Sequence, residues 1–314
     1  MSRDKGGFYF IATILDIKIE LPIDVTPTIR LERATDSQVD VISKSLELDM
    51  RAYYEEDCIK KNTTSSSYRF VPLPKEKWRY YIISFSGGNC DTHFLFSIAD
   101  IVSPHLKSFL HYHTVEEFGV GEITGWASDA YGATAFSQQR LRNYIPKIFN
   151  QKSLEDLQRL FKKYNALDKN KHEGILRAID FNTNLQRLPK LTNLPVLGFF
   201  VIIEMLLTHN PNDREIGDSL THQIKTKIAF LSPRLDTPLN YLLFDSEIPP
   251  DKIWGALYEY RSCIAHGNHI DFTKGKLKIL RNSDTAFEFL NAATRALLVH
   301  AIIEPDVING LKPI

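Results

Sequence analysis

Apolar and polar positions change places quickly along the first part of the chain. The segments FYFIATILDIKIEL, TPTIRLER, YRFVPL and WRYYIISFS are short, rich in aromatic and β-branched residues, and separated by Pro, Gly and Ser; such runs predict strands. Between them, DSQVDVISKSLELDMRAYYEE reads as a helix with Asp36 or Ser37 as its N-cap. KKNTTSSS reads as a polar loop, and SGGN from Ser86 as a turn. Residues 1–135 are therefore expected to form a mixed α+β unit.

Beyond Thr134 the rhythm becomes helical. SLEDLQRLFKKYNAL places apolar residues at Leu154, Leu157, Leu160 and Phe161, with Ser153 as the expected N-cap. HEGILRAIDFNTNLQRL continues the pattern, and residues 136–194 read as a helical connector. LPVLGFFVIIEMLLTHN is almost wholly apolar and suits a helix buried on most sides. DSLTHQIKTKIAFLS, with Asp218 as candidate cap, is amphipathic. PPDKIWGALYEYRSCIAHG opens on a proline pair and ends at Gly267, a residue that readily takes the left-handed C-cap conformation. A short strand pair is expected around HIDFTKGKLKIL, and a last helix, DTAFEFLNAATRALLVHAIIEP, should stop at Pro305. Residues 195–314 thus predict an all-α unit.

Composition narrows the function classes. Lys+Arg and Asp+Glu both number 38 among 314 residues, so the formal net charge is zero. Proteins that coat nucleic acid non-specifically draw their affinity from a basic excess, so any RNA or DNA contact here has to come from a local patch. The three cysteines, Cys58, Cys90 and Cys263, are odd in number and widely spaced; they make neither a disulfide framework nor a zinc knuckle and fit a reducing cytoplasm. Asp16, Lys18 and Glu20 interrupt the apolar start, which reads as a strand rather than an export signal. No uncharged apolar run reaches the length of a membrane span, and no membrane association is expected.

The chemistry concentrates in YEYRSCIAHGNH, from Tyr258 to His269. Residues five apart on an α-helix are separated by about 140°, so Arg261 and His266 do not share a face unless the helix loosens at its end. Ser262 does neighbour His266, and Glu259 lies one turn before Ser262, so a Glu–Ser–His row could orient the imidazole. Imidazole takes and gives protons near neutrality, and guanidinium matches phosphate oxygens with a planar fork. Together they suit transesterification of an RNA phosphodiester, in which the 2′-hydroxyl attacks its own phosphorus and arginine stabilises the added charge. One chain supplies one such histidine; two copies across a twofold axis would supply both base and acid.

RSCIAHG resembles the R-x(4–6)-H motif of the HEPN superfamily. The helix order around it is similar to ApeA-like HEPN domains of bacterial defence proteins: an apolar helix carrying Glu204, a helix of the HQIKTKIAFL type, the YEYRSCIAHG helix and a long terminal helix. The resemblance covers about Pro195 to Pro305, with weaker likeness in ILRAIDF and TIRLERA. It implies a four-helix-type bundle that dimerises around the motif helix, and metal-independent RNA cleavage, often in toxin, abortive-infection or antiphage systems. Arg261 and His266 are then the catalytic pair, with Ser262, Glu259, Tyr258 and Glu204 in support and Lys225 and Lys227 as RNA-binding candidates. No cofactor or metal is implied. The residue after the arginine is frequently Asn, Asp or His in active members and is Ser262 here. Some HEPN domains only bind nucleotides or partners, so a non-catalytic nucleotide-binding or dimerisation module is the alternative. An antitoxin or a trigger at the N-terminal unit is a further expected partner.

Plainer roles stand beside these. Arginine and histidine near a helix C-terminus are favourable on dipole grounds alone. Glu204 in an apolar helix needs a partner, with Arg261, Lys225 or Lys227 the candidates. His111 and His113, beside Glu116 and Glu117, have the spacing of metal ligands on a strand but lack a third ligand at a telling distance, and read as a surface or loop pair. His266 and His269 are no better as ligands. Lys169, Lys171 and His172 read as a solvated basic loop.

Overall fold

The computed structural model describes residues 5–11, 15–49, 59–62, 69–72, 80–87, 92–104, 106–128, 147–188, 193–209 and 219–312. The chain divides into two compact units, Met1–Gln158 and Arg159–Ile314. Cys58, Cys90, Asp218 and the whole Thr/Ser run at 63–67 lie outside the described residues, while Lys60, Lys61 and Asn62, expected in a polar loop, are strand.

The first unit is built on strands, those in the four predicted segments and further ones at residues 23–26, 59–62, 108–114, 123–128 and 147–149. β1 (Gly6–Ile11), β3 (Ile23–Thr26), β4 (Ile29–Arg33), β7 (Tyr81–Ser86), β8 (Ser108–Thr114) and β9 (Ile123–Ser128) form one sheet in the order β3-β4-β7-β1-β8-β9. Every pairing in it is antiparallel. β1 is flanked on both sides, with Phe8 opposite Ser84 and Tyr112. β5 (Ile59–Asn62) and β6 (Arg69–Pro72) pair antiparallel, and β10 (Lys147–Phe149) pairs in parallel with β2 (Leu15–Ile17). β10 escapes sequence reading because three residues carry no periodicity.

Alternation along β1 sends Phe8 and Phe10 to one face, where they pack with Leu110, Tyr112, Ile82 and with Val39 and Ile42 of α1 (Asp36–Asp49). Tyr9 faces the other way, against Phe96 of α2 (Thr92–Val102) at 5.2 Å. The N-cap of α1 is Thr35 rather than Asp36 or Ser37. Its hydroxyl accepts from Gln38 N at 3.4 Å, and Gln38 Oε1 accepts from Thr35 N at 2.8 Å, a reciprocal capping box. The same correction applies to α3 (Gln151–Asn165): Asn150 Oδ1 accepts from Ser153 N at 3.1 Å, so Ser153 is the third helical residue and not the cap.

The second unit is helical. It holds α4 (Glu173–Leu185), α5 (Leu194–Leu207), α6 (Leu220–Leu231), α7 (Pro250–His266), α8 (Ser283–Ile303) and α9 (Pro305–Gly310). α5 packs against α4, α6, α7, α8 and α9, which is why its sequence is apolar nearly all round. Gly198 lets α4 approach: a Cβ there would sit 2.3 Å from Leu185 Cδ1. Ser219 caps α6 by accepting from His222 N, in place of the expected Asp218. Pro305 ends α8 but also starts α9, since proline suits the first helical turn. α8 is the one described helix long and apolar enough to cross a membrane by length and composition, and 67% of that window is buried within the protein.

The expected strand pair after Gly267 is absent. Asp271 Oδ1 instead accepts from Thr273 N at 2.8 Å, and Gly275–Leu280 is a 3₁₀ turn. Leu277 and Leu280, three apart, are its buried residues, the spacing at which 3₁₀ side chains eclipse. The sequence supplies alternating Lys and apolar residues, but the local turn and the apolar surface of α7 decide the conformation.

Candidate active site

α7 begins on Pro249 and Pro250, with Asp251 in its first turn. Ile253, Trp254, Ala256, Leu257 and Tyr260 are its buried face. Past Tyr260 the burial stops: Arg261, Ser262, Cys263 and Ile264 are half-buried, and Ala265 and His266 are exposed. Gly267 then takes φ 67°. Its N–H reaches Ile264 O at 3.3 Å, and Asn268 N reaches Cys263 O at 2.9 Å. This is a Schellman stop, so the predicted terminator leaves the imidazole at an open helix end.

Arg261 is held from α5. Its Nη2 lies 3.5 Å from Glu204 Oε1, and its guanidinium carbon 5.6 Å from the Tyr258 ring centroid. Phe200, one turn before Glu204, meets Tyr258 edge-on at 5.7 Å. Two residues four apart on α5 therefore engage two residues three apart on α7, the spacing at which helical side chains share a face. Of the three cations considered for Glu204, the ion pair falls to Arg261.

The electrostatics are uneven. Glu204 Oε1 is buried and accepts no hydrogen bond among the described residues, because 3.5 Å is an ion-pair distance beyond good hydrogen-bond length. Burial pushes the Glu204 carboxyl above its ordinary pKa, and the Arg261 charge only partly opposes this. Burial also raises the Tyr258 hydroxyl, as does the Glu204 carboxylate, while Arg261 and a hydrogen bond with Thr221 pull it down. Arg261 is thus a half-buried cation held against an under-satisfied carboxylate. An anion replacing Glu204 at the guanidinium would find a fixed partner.

Arg261 and His266 do not make contact among the described residues, in keeping with their angular separation. Nor is the Glu259–Ser262–His266 row joined by hydrogen bonds; the Glu259 carboxylate faces Lys276 Nζ at 4.0 Å instead. Lys225, a residue of α6, lies against Gly255 of α7, where an added Cβ would meet its Nζ at 3.0 Å. Lys227 Nζ is 3.4 Å from both His209 Nδ1 and Gln223 Oε1, a local tie between the end of α5 and α6.

The remaining candidates go elsewhere. His111 and His113 lie on β8, half-buried rather than on a surface loop. His111 stacks on Tyr9 at 5.2 Å and His113 meets Phe85 edge-on. Burial, then the neighbouring His113, lowers the His111 pKa. Among the described residues no cluster of three or more His, Cys, Asp or Glu could hold a metal. The basic loop before α4 is anchored, not solvated throughout: His172 is buried with Nδ1 3.0 Å from Asn309 Nδ2, and Lys171 pairs with Asp306 at 2.8 Å. Sequence reasoning missed Thr221 and the lysines that follow α7; the latter were legible as four basic residues among the eight from Lys274 to Arg281.

A scan against protein-family models, a search of curated proteins and a search of solved structures each found no match to the chain.

Proposed function

We propose that the protein is a cytoplasmic endoribonuclease of the HEPN type that acts as a homodimer in bacterial antiphage defence, abortive infection or a toxin system. The observation that carries this reading is the end of α7. An arginine fixed by Glu204 and Tyr258 lies on the same helical end as an exposed histidine, and a left-handed glycine stops the chain directly after it. His266 takes the proton of the 2′-hydroxyl as the 2′-oxygen bonds to phosphorus. Arg261 stabilises the charge on the phosphoryl oxygens. The bond from phosphorus to the 5′-oxygen breaks, and the leaving oxygen takes a proton from the second His266 of the dimer. The N-terminal sheet unit would receive the trigger or an antitoxin.

The test uses the full chain and its Arg261→Ala and His266→Ala variants, each incubated with RNA in EDTA. Wild type should give 2′,3′-cyclic phosphate and 5′-hydroxyl ends, with both variants reduced by at least about a hundredfold, the scale of a lost general base. Equal behaviour of all three chains removes the catalytic assignment. The second reading is a non-catalytic HEPN module that binds a nucleotide or locks a dimer. It draws on the Glu204 pairing, which already occupies Arg261, and on Ser262 as the next residue. Growth arrest on expression, relieved by His266→Ala, would exclude it.

A further inference from the structure

The chain has no net charge, yet Lys274, Lys276, Lys278 and Arg281 fall within eight residues that contain no acid. All four are exposed. The segment is the 3₁₀ turn that packs along α7. Its apolar residues Leu277 and Leu280 turn inward and are buried, so the outer side carries the cations. Lys274 is near Asp271 at 3.5 Å and Lys276 near Glu259 at 4.0 Å, both loose pairs. Lys278 and Arg281 make no ion pair among the described residues. Glu259 locates the strip: it lies seven residues before His266, two turns and about 10 Å along nearly the same side of the helix.

The strip ends on a strained residue. Arg281 has φ 65° and ψ −58°, and Asn282 N bonds to Leu280 O at 2.7 Å across it. This is the rare γ-turn with positive φ, in a side chain with no intrinsic preference for it. Strained residues of this kind cluster at active sites, ligand clamps and switch regions.

We infer that Lys274, Lys276, Lys278 and Arg281 form a phosphate track that holds single-stranded RNA alongside α7 and feeds it to the Arg261/His266 end. The choice of RNA as ligand rests on the ribonuclease reading; the track itself rests on the charge and geometry of the turn. Lysines spaced along an open edge neutralise successive phosphates without reading bases. An anionic membrane is the weaker partner, because the turn's leucines are buried and none is offered for insertion.

The experiment titrates a labelled single-stranded oligoribonucleotide into the full-length His266→Ala chain at several salt concentrations. The same is done after adding Lys274→Gln, Lys276→Gln and Lys278→Gln. Three lost phosphate contacts should lower the slope of log affinity against log salt by about 2, equally for unrelated sequences. Arginine at the same three positions should restore the slope. An unchanged slope and affinity in the glutamine variant overturns the track, as does absence of RNA binding. Binding to anionic vesicles in preference to RNA, lost in the glutamine variant, overturns it in favour of a membrane. The two readings separate cleanly. A wild-type chain that cuts no RNA but shows the strip-dependent slope loses the nuclease and keeps the track. A chain that cuts RNA with a strip-independent slope loses only the track.

Discussion

Replacing Glu204 by Gln should leave the helical unit as stable as before or slightly more so, whereas replacing Arg261 by Met should destabilise it. At 3.5 Å the gross attraction is about 5 kcal/mol at an effective dielectric of ~20. Against this stands desolvation of two side chains that are only 27% and 18% exposed, a cost of several kcal/mol per ion. The balance is visible in Glu204 itself: burial outweighs Arg261 and raises its pKa. A raised carboxyl pKa means the folded state holds its proton more tightly. Its stability contribution is then full below the unfolded value of 4.5 and is lost as pH rises through the higher folded value. Glutamine removes that loss, so Glu204→Gln should gain from zero to about 1 kcal/mol at pH 7, or up to ~4 °C in Tm. Arg261→Met strands a carboxylate and should cost about 1–3 kcal/mol. The double variant should recover most of that. Thermal denaturation of the four proteins at pH 5 and pH 7 gives the cycle and its pH dependence. If Glu204→Gln proves the more damaging single change at neutral pH, the attraction exceeds the desolvation cost and the reasoning is wrong.

Two further outcomes follow from the helical unit. Gly198→Ala should cost about 1–3 kcal/mol, because the new Cβ would overlap Leu185 Cδ1 at 2.3 Å, with Cδ2 and Cγ close behind; urea denaturation reads the loss, and adding Leu185→Ala should not deepen it additively. His300 on α8 is buried, its Nε2 has no hydrogen-bond partner among the described residues, and burial, with a smaller push from Arg234, lowers its pKa despite Glu304 and Asp236 nearby. Its depressed pKa makes stability full above the unfolded value of 6.5 and progressively lost as pH falls below it. Tm measured from pH 8 to pH 5 should fall more in wild type than in His300→Leu, and parallel curves would contradict this.

Much was decided by the sequence alone. β1, β2, β4, β6 and β7 lie in segments marked by alternation and composition, and so does the apolar α5; these are local properties. The stop after His266 follows from one glycine, because few other residues take φ near 67° without strain. The angular separation of Arg261 and His266 follows from helix geometry. Caps at Thr35, Asn150 and Ser219 were misplaced by one to three residues or masked by a neighbouring acid, since which hydroxyl or amide reaches the third N–H is settled by backbone entry. Only tertiary structure chose Arg261 over Lys225 and Lys227 as the partner of Glu204, because all three cations are within sequence reach and the α5–α7 contact selects one. It also turned HIDFTKGKLKIL from a strand pair into a 3₁₀ turn: burying Leu277 and Leu280 three apart against α7 outweighs an alternating pattern, and in doing so leaves Lys274, Lys276 and Lys278 on the outside.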